Sequence, residues 1–137
     1  MVGVYVLVGT LVLATAVGLL MKARDGRVRM TSASGLPADI QALVAPAGVT
    51  LVQLSSTFCA PCRHARVLLA DLAARVEGLH HTELDLTERP DLAKELAVLR
   101  TPTTLAINGH GAEILRVGGV PKRDELLAAL KPHLGSH

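Results

Sequence analysis

The sequence predicts an α/β fold, a central mixed β-sheet flanked by helices, preceded by one N-terminal transmembrane helix. Strand-like and helix-like apolar patterns alternate from residue 36 onwards, which is typical of a sheet covered by helices. Two strand patterns near the C-terminus are separated by a short glycine-containing turn, which indicates an antiparallel hairpin and therefore a sheet of mixed direction. With 137 residues, the chain has room for one such domain and little more.

The uncharged run from Val2 to Met21 predicts a transmembrane anchor over residues 1–21. At about 1.5 Å per helical residue, a run of this length crosses a hydrocarbon layer of about 30 Å. A cleaved secretory signal would instead need a positively charged start and a small-residue cleavage site after the apolar region. No Lys or Arg precedes the run, and the Ala-x-Ala segment at Ala14 to Ala16 lies inside it. These features favour an uncleaved anchor.

Four basic residues follow the anchor within eight positions: Lys22, Arg24, Arg27 and Arg29. With Asp25 they give residues 22–29 a charge of +3, which leaves −1 for the rest of a chain whose net charge is +2. Because basic flanks stay on the cytoplasmic side, we expect a single-pass protein of the cell membrane with its N-terminus outside and its domain in the cytoplasm. The same charges favour anionic membrane lipid as a partner. Nucleic acid is not an expected partner, because no basic stripe is interleaved with aromatic residues.

The first half of the predicted domain contains a short helix, a strand and a longer helix. Residues 22–35 are polar, small and aperiodic, which predicts a basic and polar linker with the domain over residues 36–137. Pro37 suits the first turn of a helix with an apolar face at Ile40, Leu43 and Val44. "VTLVQLS" at 49–55 has the composition of a buried strand. From Cys59 to about Val76, apolar side chains recur at the three-and-four spacing of an amphipathic helix.

The second half continues the alternation and ends in the hairpin and a helix. Residues 80–86 alternate as a strand does, and Pro90 begins a short helix that we expect to run through Leu99. "TTLAIN" and "AEILRV" are two strands joined across "GHG", and residues 121–134 form the last helix with leucines on one face. The predicted order is therefore helix, strand, helix, strand, helix, strand, strand, helix.

Both cysteines of the chain lie in "SSTFCAPCRHAR" at 55–66, and a pair with this spacing has four possible interpretations: a zinc site, a haem attachment, two inert thiols or a redox pair. A structural zinc site needs two further ligands, and no His pair has the spacing of a zinc finger, since His133 and His137 lie at the chain end. A c-type haem needs His directly after the second Cys, where this chain has Arg63. Two buried thiols with no chemistry are a further possibility, because Cys is often a core residue. No metal site is therefore predicted.

A redox pair accounts for more of the pattern. Cys59 stands where a strand passes into a helix, so its sulfur meets the free N–H groups and the positive end of the helix dipole, which favour a thiolate. Cys62 follows one helical turn later, close enough to attack a mixed disulfide on Cys59. Pro61 is tolerated in a first turn, because its missing N–H would have no partner there.

Three separated motifs give the chain a resemblance to the thioredoxin family over residues 36–137: "FCAPC", "TPTTL" at 101–105 and "RVGG" at 116–119. The resemblance implies a thioredoxin-like fold with a redox-active Cys59–Cys62 disulfide and a cis-proline at Pro102. It also implies a substrate groove, in which Thr101 offers its backbone to a substrate strand. The groove residues would be Phe58, Ala60, Pro61, Thr101 and Gly118.

The chain departs from the family pattern at several positions near the cysteines. Gln53 replaces a buried Asp that is thought to pass protons to the resolving thiol, and Gln cannot titrate. Phe58 replaces a Trp, and Glu83 stands where many members have a Lys that partners the Asp. Glu83 is either a solvated strand residue or an alternative proton acceptor. Arg63, His64 and Arg66 lie in the first turns after the pair. His64 either faces solvent or, when protonated, helps to hold a thiolate, as Arg63 could also do.

The predicted function is a membrane-tethered thiol-disulfide oxidoreductase that reduces protein disulfides, with Cys59 attacking and Cys62 resolving. No bound cofactor is expected, since the chemistry is sulfur exchange. The expected partners are disulfide-containing proteins, together with a thioredoxin reductase or a membrane electron donor that renews the dithiol. Two alternatives remain open at this point: an extracytoplasmic oxidant or isomerase of the same fold, and a non-catalytic binding module that uses the groove.

Overall fold

The computed structural model describes residues 1–33 and 35–135. The chain begins with helix α1, Val2–Arg24, which has no buried residue and a mean hydropathy of 2.3 over its most apolar 18-residue window. In the described part of the chain, this is the one helix long and apolar enough to cross a membrane, a property that N-terminal signal sequences share. It extends the predicted anchor by one turn into the basic segment.

Five strands form one mixed sheet in the order β1-β5-β4-β2-β3. Strands β2 and β3 run parallel, and all other neighbouring pairs are antiparallel, so the predicted mixed sheet is confirmed. Every residue of β2 is buried, which explains why its sequence is apolar with little alternation. The strands are β1 Val28–Ala33, β2 Val49–Ser55, β3 Leu79–Asp85, β4 Thr103–Asn108 and β5 Glu113–Gly118.

Helices cover both faces of this sheet, as predicted. The longer helices α3, Ala60–Arg75, and α5, Arg123–Leu134, pack on one face, where Leu69, Leu72 and Leu126 join the core. The short helices α2, Ala38–Gln41, and α4, Pro90–Glu95, bring Ile40 and Leu92 to a second core on the opposite face. The strands contribute aliphatic side chains to both cores, because successive residues of a strand point to opposite faces of the sheet.

Strand β1 is a correction to the predicted linker over residues 22–35. It pairs antiparallel with β5, with Val28 opposite Val117 and Met30 opposite Leu115. Its stability comes from backbone pairing at a sheet edge more than from burial, since Met30 is 62% exposed and, among residues 28–31, only Val28 packs against the core. Its apolar alternation is limited to Val28 and Met30, which is too short a pattern to identify a strand from the sequence. The domain boundary at residue 36 stays a prediction, and the linker residue 34 lies outside the described residues.

Helix α4 is also shorter than predicted, because it ends at Glu95 and not at Leu99. Ala97 adopts a positive φ of 53°, which no α-helix accommodates, so the chain turns away there. Leu99 is left 97% exposed on the loop that leads to Thr101 and Pro102.

Candidate active site at the start of helix α3

The cysteine pair lies where the buried strand β2 gives way to helix α3. Cys59 is the capping residue that precedes the helix, in extended conformation, and its Sγ accepts a hydrogen bond from the backbone N–H of Cys62 at 3.2 Å. The two cysteines form a disulfide with their Cα atoms 5.2 Å apart. Cys59 is partly exposed, whereas Cys62 is 1% exposed in the first turn of the helix. Substrate sulfur can therefore reach Cys59 more readily than Cys62.

The start of α3 is suited to hold a thiolate at Cys59. The helix has 16 residues, and its first N–H groups and positive dipole end point towards the capping sulfur. Pro61 occupies the first turn without removing a needed donor. When the disulfide is reduced, the hydrogen bond from the Cys62 N–H stabilises negative charge on Cys59.

Two loops border the cysteines on the side of β4 and β5. The Thr101–Pro102 peptide bond is cis, and Pro102 is buried. The Thr101 hydroxyl lies 3.1 Å from that of Ser56, which joins this loop to the cysteine loop. The carbonyl of Pro102 accepts a hydrogen bond from Gly119 N at 2.7 Å, so the end of β5 with Gly118 lies beside it. These contacts bring the predicted groove residues Thr101 and Gly118 to the region of the pair.

Three further predicted groove residues form the exposed rim of the pair. Ala60 and Pro61 are exposed, and Phe58 is 99% exposed. An aromatic ring left in water next to a reactive sulfur gives an apolar surface against which another chain can pack.

Gln53 is fully buried beneath the pair, and its side chain bridges two groups. Its Nε2 donates a hydrogen bond to the carbonyl oxygen of Cys62 at 2.9 Å. Its Oε1 lies 3.1 Å from His81 Nε2, so that ring nitrogen is the donor. A buried amide costs little when both of its ends are paired, which explains why Gln is stable in this position. Gln53 therefore links the backbone of the resolving cysteine to a histidine on β3.

His81 on β3 is not among the site residues predicted from the sequence. It is half-buried, and burial lowers the pKa of its imidazole, an effect that the nearby Glu83 carboxylate opposes and Arg66 reinforces. Because Nε2 donates to Gln53, the titrating nitrogen is Nδ1. The alternation of β3 is the one feature of the sequence that could have identified His81 as a site residue. His81 shares a face of the strand with the buried Leu79 and therefore points towards α3.

Glu83 has a different set of partners from those expected. Its carboxylate accepts hydrogen bonds from Ser55 Oγ at 2.8 Å and from Arg66 Nη2 at 2.6 Å, with a second contact to Arg66 Nε. The hydrogen bond from Arg66 is the main cause that lowers the pKa of Glu83 below its usual range. The side chain that contacts Gln53 is that of His81. Glu83, which the sequence leaves as either a solvated strand residue or an alternative proton acceptor, is held by Arg66 and Ser55.

The remaining candidates stay at the surface. Arg63 and His64 are exposed, and within residues 1–33 and 35–135 their side chains form no hydrogen bond or ion pair. In the same ranges, no group of three or more His, Cys, Asp or Glu side chains is arranged to hold a metal ion. His137, which was considered as a zinc ligand, lies outside the described residues.

An accessible sulfur at a helix start, one turn ahead of a buried sulfur within disulfide distance, defines a thiol-disulfide oxidoreductase site. Comparison with known proteins identifies its family: the family model described as "Thioredoxin" matches residues 36–132. The chain therefore belongs to the thioredoxin family, and its cysteine pair is a thioredoxin-type redox pair.

Relatives and solved structures agree with this assignment. A thioredoxin of Staphylococcus aureus is 33% identical over 88 residues, which are 64% of this chain and 84% of that protein. "Thioredoxin H2" of Arabidopsis thaliana is 36% identical over 76 residues, and the match spans 56% of each chain, little more than half of that relative. The crystal structure of thioredoxin NaTrxh from Nicotiana alata is 26% identical with a TM-score of 0.58, covering 70% of this chain and 82% of that one. A mutant thioredoxin from Halobacterium salinarum has the same fold at 19% identity, with a TM-score of 0.63 over 74% of this chain and 88% of its own.

Proposed function

We propose that this chain is a membrane-tethered reductase of protein disulfides. The observation that carries the proposal is the unequal exposure of the pair: Cys59 is accessible and capped by an N–H donor, and Cys62 is 1% exposed beneath it. The apolar helix α1 and its basic C-terminal flank support the tether, with the domain on the cytoplasmic side.

The reaction consists of two thiol-disulfide exchanges. The Cys59 thiolate attacks one sulfur of a substrate disulfide, which forms a mixed disulfide and releases the first substrate thiolate. The Cys62 thiolate then attacks Sγ of Cys59, which forms the Cys59–Cys62 disulfide and releases the second substrate thiolate. Two electrons pass from the cysteine pair to the substrate, and each released thiolate takes up a proton.

Turnover requires an electron donor that reduces the Cys59–Cys62 disulfide again. A thioredoxin reductase would serve a cytoplasmic domain, and a membrane electron carrier would serve a domain on the other side. Substrate strands would bind along Thr101 and Gly118, with Phe58 as an apolar contact at the rim. No bound cofactor takes part in this chemistry.

Trapping of the mixed disulfide tests the assigned roles. Cys62→Ser should accumulate covalent adducts with substrate proteins on non-reducing gels, because Cys59 still attacks and nothing resolves the product. The matched variant Cys59→Ser should accumulate none. Equal trapping by both variants contradicts the assignment, and trapping by neither favours a binding module without exchange chemistry.

The direction of electron flow is tested by the reduction potential of the pair. A reductase needs a potential near or below that of the cytosolic glutathione pool, whereas oxidants and isomerases lie well above it. About 30 mV corresponds to about 1.4 kcal/mol for a two-electron couple, so a redox titration resolves the two classes. A potential in the oxidant range would overturn the reductase assignment while leaving the exchange chemistry intact.

A further inference from the structure

A cavity of about 490 Å³ lies between the end of helix α1 and the loop that precedes Pro102. The anchor end contributes Met21 and Arg24, and strand β1 and its approach contribute Arg27 and Arg29. The domain contributes Leu99 and Arg100 from the loop after α4. The cavity thus joins the membrane-facing end of the chain to the edge of the redox groove.

Three of the positive charges in this cavity are uncompensated. Within the described residues, the exposed side chains of Arg24, Arg27 and Arg29 form no ion pair or hydrogen bond. By contrast, Arg100 pairs with Asp25, and Arg116, which also lines the cavity, pairs with Glu113. Three unpaired guanidinium groups around one cavity create a strong local preference for an anion, and guanidinium groups suit phosphate in particular.

The apolar part of the lining indicates which anion fits. Leu99 is 97% exposed and shares the cavity with Met21, the last residue of the uncharged run, which is 69% exposed. Apolar side chains at the point where a membrane helix meets its basic flank match the boundary between acyl chains and head groups. A phospholipid offers both halves, phosphate for the arginines and hydrocarbon for Met21 and Leu99.

We propose that this cavity binds the head-group phosphate of an anionic phospholipid in the leaflet where α1 ends, with Leu99 in the bilayer interface. The proposal rests on the membrane tether of the proposed function. It also specifies the substrate class of the redox site, because the cavity is directly joined to the groove. Gly26 N donates to the carbonyl of Gly118 at 2.8 Å, and Arg100 immediately precedes Thr101. A lipid held here keeps the groove close to the bilayer, where it meets disulfides near the membrane surface.

A single-tryptophan reporter tests the docking in the full-length protein. The chain has no Trp, so Leu99→Trp introduces a fluorophore whose surroundings report on this loop alone. In vesicles that contain phosphatidylglycerol, we expect a blue-shifted emission that doxyl-labelled lipids quench. In vesicles of phosphatidylcholine alone, and in anionic vesicles at 1 M salt, where the screening length is about 3 Å, the emission should be that of an exposed tryptophan.

Charge variants in the same background separate this cavity from bulk attraction. Arg27→Gln/Arg29→Gln should lower the ratio of docked to undocked protein roughly 30-fold, at about fivefold for each basic side chain near an anionic surface. The control Lys94→Gln/Lys131→Gln removes the same charge from exposed positions outside the cavity and should leave the emission unchanged. The proposal is overturned if the two double variants lose docking equally. It is also overturned if the emission is the same in anionic vesicles and in vesicles of phosphatidylcholine alone. Inorganic phosphate that reproduces the blue shift without anionic lipid would also overturn it, in favour of a soluble anion.

Two accompanying measurements keep this inference distinct from the proposed function. Flotation with vesicles reports the tether, and reduction of a soluble disulfide substrate reports the exchange chemistry. If the protein floats and reduces the substrate while the introduced tryptophan stays in water, only the lipid site fails. If the protein does not float, the tether and the lipid site fail together.

Discussion

The hydrogen-bonded link from His81 through Gln53 to Cys62 makes a quantitative prediction about stability. The perturbations are Gln53→Leu, which keeps nearly the same volume without polar atoms, and His81→Phe, which keeps a ring without a donor. Gln53→Leu removes the hydrogen bond to the Cys62 carbonyl at 2.9 Å and leaves His81 Nε2 without its partner at 3.1 Å. A lost hydrogen bond costs about 1 kcal/mol, and an unpaired polar group costs about 1–3 kcal/mol, less here because His81 is half-exposed to water.

The effects of the two single variants on the free energy of unfolding should not be additive. His81→Phe leaves Gln53 Oε1 unpaired at a fully buried position, which should cost about 2 kcal/mol of the free energy of unfolding. In the double variant both partners of that hydrogen bond are apolar, so neither orphaned group exists. We therefore expect a coupling free energy of about 1 kcal/mol or more between the two positions.

Urea unfolding of the four proteins in the same detergent, with the disulfide intact, measures this coupling free energy. Glu88→Gln, an exposed change away from the site, serves as a control for handling and should shift the unfolding free energy by less than about 0.5 kcal/mol. Additivity of Gln53→Leu and His81→Phe within about 0.3–0.5 kcal/mol would refute the reasoning, because it would mean that the two side chains do not share a hydrogen bond.

Three further predictions concern protons at this site. Gln53→Asp should accelerate resolution of the mixed disulfide near neutral pH in stopped-flow measurements, because it adds a titrating acceptor behind Cys62, at a cost in stability from burying a carboxylate. Glu83→Gln should leave that rate unchanged, since Arg66 already holds the carboxylate, and an unaltered pH profile in Gln53→Asp would mean that proton removal from Cys62 is not limiting. Separately, burial lowers the pKa of His81, so the unfolded chain binds more protons at acidic pH. Its contribution to stability should be complete above about pH 6.5 and decline below it, and His81→Gln should flatten this part of the thermal stability profile.

The elements that the sequence predicts well are those in which side-chain pattern and burial coincide. Every residue of strand β2 is buried, and its residues are apolar apart from Thr50, Gln53 and Ser55. Helix α3 places Ala65, Leu69 and Leu72 in the core at the three-and-four spacing that identified it. In both elements the hydrophobic effect selects the residues and the geometry together, so the pattern is sufficient.

Strand β1 could not be predicted in this way, because its formation depends on a partner strand more than eighty residues away. The edge of β5 offers unpaired backbone groups, and Val28 opposite Val117 satisfies them with one partly buried side chain. A backbone-driven edge strand leaves almost no trace in composition.

The same distinction between local pattern and tertiary packing applies to the candidate site. The roles of Cys59 and Cys62 follow from local chemistry, because both sulfurs lie within one helical turn. The partners of Gln53 depend on how β2 and β3 are placed side by side, which sequence spacing does not specify. In the observed register Gln53 is opposite Glu83, yet its side chain reaches back to His81. Arg66 on α3 takes the Glu83 carboxylate, and this contact between a helix and a strand depends on tertiary packing.

The connection between α1 and β1 determines how far the redox site can move from the end of α1. A flexible linker over the fourteen residues 22–35 would let the domain move about 20 Å from the anchor. In the structure, only residues 25–27 separate the end of α1 from β1, and three residues reach at most about 10 Å. Gly26 lies at the centre with a positive φ of 74°, and an added Cβ would lie 2.3 Å from the Val120 carbonyl oxygen, so no other residue fits without moving the chain. With the proposed membrane tether, a domain joined in this way would reach only disulfides close to the membrane, the substrate class that the proposed lipid site also favours.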